Sequence, residues 1–201
     1  RRIQLLRQHI REFAPDWVLV SSEDLAHGLL REAHHCAPGR VVYLAHTPQF
    51  FPFGPESWNS DAQAAAIVRD ARGVIVIGQH MQGYVREHLG REAVVVHPPI
   101  YGAEPFARFG NFDDGWILMI NPCAVKGIDL FLAMADAFPQ TAFAAVPAWG
   151  TNERDYRELR ARRNVRLLEP VDNIDDLLQR TRVLLVPSLW AEARSRIVLE
   201  A

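Results

Sequence analysis

Glu192 and Glu200 are the residues of this 201-residue sequence whose types and spacing most directly suggest chemistry. Seven residues separate them, and on a helix of about 3.6 residues per turn eight steps return to nearly the same face, so both carboxylates would project together. Paired carboxylates accept hydrogen bonds from hydroxyl-rich ligands. The bare spacing also recurs on solvated helices, so context has to set it apart. Here the pair follows an apolar run at 183–186 and the break Pro187, Ser188, which puts Glu192 at an expected helix start. Free backbone N–H groups at such an entrance suit a diphosphate.

Two further strand exits carry polar groups. After the run 116–120 come Asn121, Lys126 and Gly127, a cation at a strand-to-helix junction. After 41–45 comes His46, followed by an aromatic and proline-rich stretch with Phe50, Phe51, Phe53 and Trp58. Three prolines in positions 48–58 exclude a regular helix or central strand there. Its aromatics either fold back on the core or form a wall suited to a sugar ring or a hydrophobic aglycone. Other groups are weaker. His34, His35 and Cys36 are adjacent on an expected helix and do not converge on a metal. His80, His88 and His97 stand singly and are expected to be structural or exposed, and the arginines at 154–166 are interleaved with acids as on a solvated helix.

The elements that must position these residues are short. Strands are expected at 17–20, 41–45, 74–77, 93–96, 116–120, 142–146, 165–168 and 183–186. Helices are expected at 22–35, 59–71, 79–89, 127–138, 152–163 and 173–180. Alternation of strands apolar on both faces with helices implies parallel sheets covered on each side, and ligands of such sheets bind beyond the carboxyl ends of the strands. The stretch 98–114, with its prolines and glycines, breaks the rhythm. The expected fold class is therefore α/β, with two adjoining Rossmann-like doubly wound parallel-sheet domains, both incomplete.

Composition narrows the partners. A net charge of −2 supplies no field for nucleic acid or an anionic membrane. No apolar run approaches the roughly 18 residues of a transmembrane segment. Cys36 and Cys123 lie far apart, suggesting neither a disulfide framework nor a zinc site, so a cytoplasmic location is expected. Arg1 and Arg2 open in what reads as the middle of a helix, and Ala201 ends directly after Glu200.

The run Val186, Pro187, Ser188, then Glu192, then Ile197, Val198, Leu199, Glu200, Ala201 resembles the Glu-seven-Glu signature of retaining GT-B glycosyltransferases, the group that includes sucrose synthases, glycogen synthases and mannosyltransferases. Lys126 with Gly127, and His46 after its strand, fit the same family in the same order. The resemblance implies that residues 1–100 are the later part of an acceptor-side domain, 101–114 a linker, and 115–201 the first half of a nucleotide-sugar donor domain. It also implies sugar transfer from a nucleoside-diphosphate sugar to an acceptor hydroxyl with retention of configuration. Lys126 would hold the diphosphate, Glu192 the sugar hydroxyls, Glu200 the ribose, and His46 the transferred sugar after domain closure. The segment 172–188 resembles the part that carries the base. No cofactor and no metal are implied, and no Asp-x-Asp occurs to bridge a diphosphate through one. Asn121 stands where the family places an arginine, and Ala193, Arg194 and Ser195 replace its glycine-rich turn; Arg194 or Arg196 would supply the lost charge. The same architecture would serve a sugar-nucleotide epimerase or a non-catalytic sugar-nucleotide binder.

Overall fold

β-Branched runs flanked by turns become strands, and in a computed structural model of the chain they form two parallel sheets. The structure describes residues 2–99 and 105–201; residues 101–104 of the expected linker lie outside the described residues. Two units are distinguished, Arg1–Pro99 and Ile100–Ala201.

The first unit holds α1 (Arg2–Phe13), β1 (Val18–Ser21), α2 (Gly28–Cys36), β2 (Val41–Ala45), α3 (Ala62–Asp70), β3 (Gly73–Val76), α4 (Gln79–Leu89) and β4 (Val94–Val95). Its four strands lie side by side in chain order, all parallel. Tyr43, Phe51, Leu30, Val68 and Met81 are fully buried between sheet and helices. The helix expected from residue 22 begins only at Gly28, because the Asp24 carboxylate accepts from the Leu29 N–H at 2.7 Å and His27 adopts a left-handed conformation. Residues 22–27 are thereby held in turns. Asp61 caps α3 through the Ala64 N–H.

The second unit holds β5 (Trp116–Ile120), α5 (Ile128–Ala137), β6 (Phe143–Val146), α6 (Glu153–Arg160), β7 (Val165–Leu167), α7 (Asp175–Leu178), β8 (Thr181–Leu184) and α8 (Arg196–Glu200). The strand order is β7-β6-β5-β8, all parallel. The chain starts at β5, builds outward through β6 and β7, then crosses back to add β8 on the other side. That reversal defines a topological switch between β5 and β8, the place where doubly wound sheets leave a crevice at their carboxyl ends. Both faces of the sheet are packed, as parallel strands require. Met119, Phe131, Phe143 and Leu159 fill one side, and Leu118, Ala144, Val146 and Leu177 the other. A register irregularity at Trp116/Ile117 lets β8 pair from Thr181, two residues earlier than the apolar run at 183–186 suggests. Helix 173–180 shrinks to the four residues of α7. Among the described residues no helix is long and apolar enough to cross a membrane.

Candidate functional site

The switch point of the second unit is built from two loops that the backbone fastens together. After β5, residues Ala124–Lys126 make a single 3-10 turn and Gly127 (φ 82°) starts α5. A Cβ on Gly127 would stand 2.2 Å from the Pro187 carbonyl oxygen, so only glycine lets the loop after β8 pass this closely. The Leu189 N–H then donates to the Val125 carbonyl at 3.0 Å. These contacts bring together two sequence motifs separated by more than sixty residues.

Lys126 Nζ and Glu192 Oε1 meet there as an ion pair. The same oxygen accepts from Ser188 Oγ at 2.6 Å and from Trp190 Nε1 at 3.1 Å. Burial by itself would push the Glu192 carboxyl up, but the bonds from Lys126, Ser188 and Trp190 outweigh it and hold the group below the usual carboxylate value. Lys126 Nζ also stands 4.8 Å above the Trp190 ring, a cation–π contact. All three donors converge on Oε1, which leaves Oε2 as an acceptor for a ligand hydroxyl.

Glu192 is not on a helix. The expectation that it shares a helix face with Glu200 is corrected: α8 begins at Arg196 with Ser195 at its N-cap, and Glu192 sits in the preceding loop. The local bonds from Ser188 and Trp190 to its carboxylate hold that loop away from helical geometry. Glu200 does lie on α8. Its side chain is 11% exposed and accepts from Arg196 Nε at 3.0 Å.

The loops border a cavity of about 1080 Å³ within the second unit. Of the residues singled out from sequence, Asn121, Lys126, Glu192, Arg194, Ser195, Arg196 and Glu200 line it, whereas Gly127 and Ala193 do not. Gly127 acts instead through the close approach described above. Asn121 is 6% exposed and left-handed (φ 57°), and its Oδ1 accepts from the Gly150 N–H at 3.0 Å. That oxygen is committed to the neighbouring loop, while the buried Asn121 Nδ2 has no hydrogen-bond partner among the described residues.

His46 belongs to the first unit, directly after β2. Its backbone N–H donates to Ser22 Oγ at 3.0 Å, and its Nδ1 lies 3.3 Å from Ser21 Oγ. Ser21 Oγ also donates to Glu23 Oε2 at 3.3 Å, so the His46 ring and the Glu23 carboxylate share one hydroxyl. The aromatic stretch after His46 divides. Phe51 (0% exposed) and Phe53 (6%) pack on each other and on Tyr84, so neither can touch an acceptor, which corrects the expectation for those two. Gly54 follows them with its backbone tight against the Tyr84 ring, where a Cβ would not fit. Phe50 and Trp58 make an edge-to-face pair at 5.8 Å on the outside of this cluster.

Sequence reasoning named Ser188 only as part of the break before Glu192, without a role, and passed over Trp190 and Trp149. Trp190, two residues before Glu192 and able to donate to it, was the available signal for Ser188 and Trp190. For Trp149 the signal was a large aromatic beside a glycine at a strand exit.

No protein-family model matches the sequence, and no curated protein shows significant sequence similarity to it. Solved structures do match in fold. S. aureus TarM, in a variant complexed with Fondaparinux, alpha-GlcNAc-glycerol and UDP, superposes with a TM-score of 0.69 at 12% identity, covering 100% of this chain and 43% of that one. The lipopolysaccharide outer core galactosyltransferase WaaB matches with a TM-score of 0.59 at 14% identity, covering 99% of this chain and 57% of that one. OtsA matches with a TM-score of 0.61 at 12% identity, covering 100% and 58%. These are GT-B glycosyltransferases. The present chain has the α/β architecture of the GT-B class, built from Rossmann-like parallel-sheet units. It spans about half the length of the structures it matches.

Proposed function

We propose that this chain is part of a retaining, metal-independent glycosyltransferase that moves a sugar from a nucleoside-diphosphate sugar to an acceptor hydroxyl. The observation that carries the reading is the meeting of Lys126 and Glu192 at the β5/β8 switch point, on the wall of a cavity of about 1080 Å³. That volume is slightly above the roughly 300–1,000 Å³ of small-molecule sites. Lys126 is the cation for the diphosphate, where charge develops as the sugar–phosphate bond breaks. It supplies the neutralisation that a bridging metal would otherwise give. Glu192, held through Oε1, offers Oε2 to sugar hydroxyls; Glu200, oriented by Arg196, is assigned to the ribose. His46, directly after β2, is assigned to the transferred sugar. Arg194 and Arg196 line the same cavity and are the candidates for the second phosphate-facing charge. The glycosyltransferase identity of the fold neighbours supports the reading.

Calorimetric titration of the 201-residue chain with UDP, and of Lys126→Ala, tests it. A charge-assisted contact contributes about 1.5–3 kcal/mol, so the variant should bind at least roughly tenfold more weakly. Unchanged affinity would remove the donor site from these loops. Product analysis with a donor sugar, with and without acceptor, then separates transfer from epimerisation and from binding alone.

A further inference from the structure

Trp116, the first residue of β5, carries two guanidinium groups on its ring. Arg180 Cζ lies 4.5 Å from the ring centroid and Arg166 Cζ 6.0 Å from it. Arg180 immediately precedes β8 and Arg166 lies near the start of β7, so the cluster sits at the amino end of the parallel sheet, opposite the carboxyl-end cavity. In sequence Arg166 reads with the solvated arginines at 154–163, yet it falls on β7, outside α6. Register sets Leu118 beside Ala144 and Ala144 beside Arg166, which puts the arginine on the sheet face that holds Trp116. Ala144 contributes only a methyl group there, so Arg166 can reach across β6 to the indole. Arg180 is placed by its backbone: its N–H donates to the Leu177 carbonyl at 3.1 Å and its carbonyl accepts from the Trp116 N–H at 3.2 Å. A Cβ on Gly115 would stand 3.0 Å from the Arg180 oxygen and 2.7 Å from the Arg182 nitrogen, so glycine is what lets the chain enter β5 this close to the arginine.

Two features of this cluster are unbalanced. Like charges are gathered on one ring with no carboxylate between them: among the described residues neither Arg166 nor Arg180 makes an ion pair, whereas Arg7, Arg31, Arg86 and Arg162 each do. Asp113, Asp114 and Asp176, the acids near them in sequence, form no ion pair with either arginine. Trp116 is in addition only 8% exposed, and its Nε1–H is buried without a hydrogen-bond partner among the described residues. A buried donor without an acceptor is costly. An oxyanion meets both needs, because guanidinium N–H groups match its oxygens in pairs and the arginine side chains are long enough to open towards it. We propose that Arg166, Arg180 and the Trp116 indole N–H form a binding site for a phosphate group, independent of the assignment of Lys126. A phosphate monoester brings nearly two negative charges and three acceptor oxygens, which matches two cations and an indole donor better than a carboxylate does. A single phosphate group, unlike a polyanion, also needs no basic field from a chain whose net charge is −2.

Heteronuclear NMR of the indole N–H groups of the 201-residue chain tests it, with Trp116→Phe assigning the signal. Inorganic phosphate added at constant ionic strength should shift the Trp116 resonance saturably, and acetate should not. Arg166→Gln and Arg180→Gln combined should raise the phosphate Kd at least roughly tenfold, while Arg163→Gln, an exposed arginine just before β7, leaves it unchanged. Where the double variant does not fold, the two single variants decide, and wild-type phosphate affinity in both overturns the proposal. Lys126→Ala should keep the shift, since Lys126 stands at the other end of the sheet; its loss there would place the phosphate at the carboxyl-end cavity and overturn the site. Absence of a saturable shift, or an equal response to acetate, does the same. Vesicles of phosphatidylcholine with phosphatidic acid then identify the source of the phosphate. Co-sedimentation that the arginine variants lose assigns it to a lipid headgroup, whereas a shift in solution without co-sedimentation assigns it to a soluble phosphate ester.

Discussion

Gly127→Ala is expected to damage the site by prying apart the two loops that form it. The native φ of 82° places any L-residue in the left-handed region, at a cost of about 1–2 kcal/mol. The larger effect is steric. The new Cβ would lie 2.2 Å from the Pro187 oxygen and 3.0 Å from its carbonyl carbon, against backbone that cannot rotate away. A normal contact needs roughly another ångström of separation, which breaks the hydrogen bond from the Leu189 N–H to the Val125 carbonyl, itself contributing about 1 kcal/mol. The combined loss is on the order of 2–4 kcal/mol. Gly90→Ala is the control: Gly90 has a φ of 68° but nothing within 4 Å of its Cβ, so only the conformational cost of about 1–2 kcal/mol applies. Urea unfolding of both variants, with hydrogen exchange at the Leu189 amide, separates the contributions. Gly127→Ala should lose at least twice the stability lost by Gly90→Ala and expose the Leu189 amide to rapid exchange. Equal destabilisation with a protected Leu189 amide would refute the proposed coupling of the loops.

The Glu192 carboxyl is held below its usual value, so its contribution to stability is full above about pH 4.5 and is lost as pH falls through its lower folded-state value; thermal melts from pH 7 to 3 should show a shallower acid decline for Glu192→Gln, and superimposable profiles would contradict the bonding described for it. Asn152 accepts from the Arg154 and Asp155 N–H groups at 2.9 and 3.1 Å in a capping box, so Asn152→Ala should cost about 1 kcal/mol in urea unfolding, with no effect as the disproof. With Lys126 as the diphosphate's cation, sugar transfer by the complete enzyme should survive a chelator; activity abolished by chelation and restored by magnesium or manganese would reject the metal-free reading.

The parallel sheets were legible because their strands are apolar on both faces, as in β5, where Leu118 and Met119 point into different cores. The placement of Lys126 and Gly127 at the exit of β5 was legible because strand-to-helix junctions are set by topology rather than by neighbours in sequence. What failed were inferences that depended on local hydrogen bonding. The Glu192–Glu200 spacing suggested one helix, but a carboxylate with Ser188 and Trp190 close by in sequence finds donors that hold it in a loop. Residues 22–27 failed for the same reason at Asp24. The aromatic stretch after His46 could be read either way, since side-chain direction in an irregular segment depends on the packing partner, here Tyr84 for Phe51 and Phe53. That position 121 carries no charge is read from the sequence directly, whereas the bond from the Gly150 N–H to the Asn121 oxygen is visible only in the structure.

The strand order of the second unit also bears on when the site comes into being. β5, β6 and β7 are joined by successive crossovers, and their pairing closes short loops. β8 must instead return past two strands to reach β5, and Lys126 and Glu192 meet across 66 residues of sequence. Contacts of such separation cost the most loop-closure entropy and form late. A partly folded chain could therefore own three paired strands, a packed core around Phe131 and Phe143, and a helical α5, yet lack the Lys126–Glu192 junction altogether. Assembly of this junction is coupled to the last long-range pairing of its sheet, so ligand binding would serve as a reporter of completed folding.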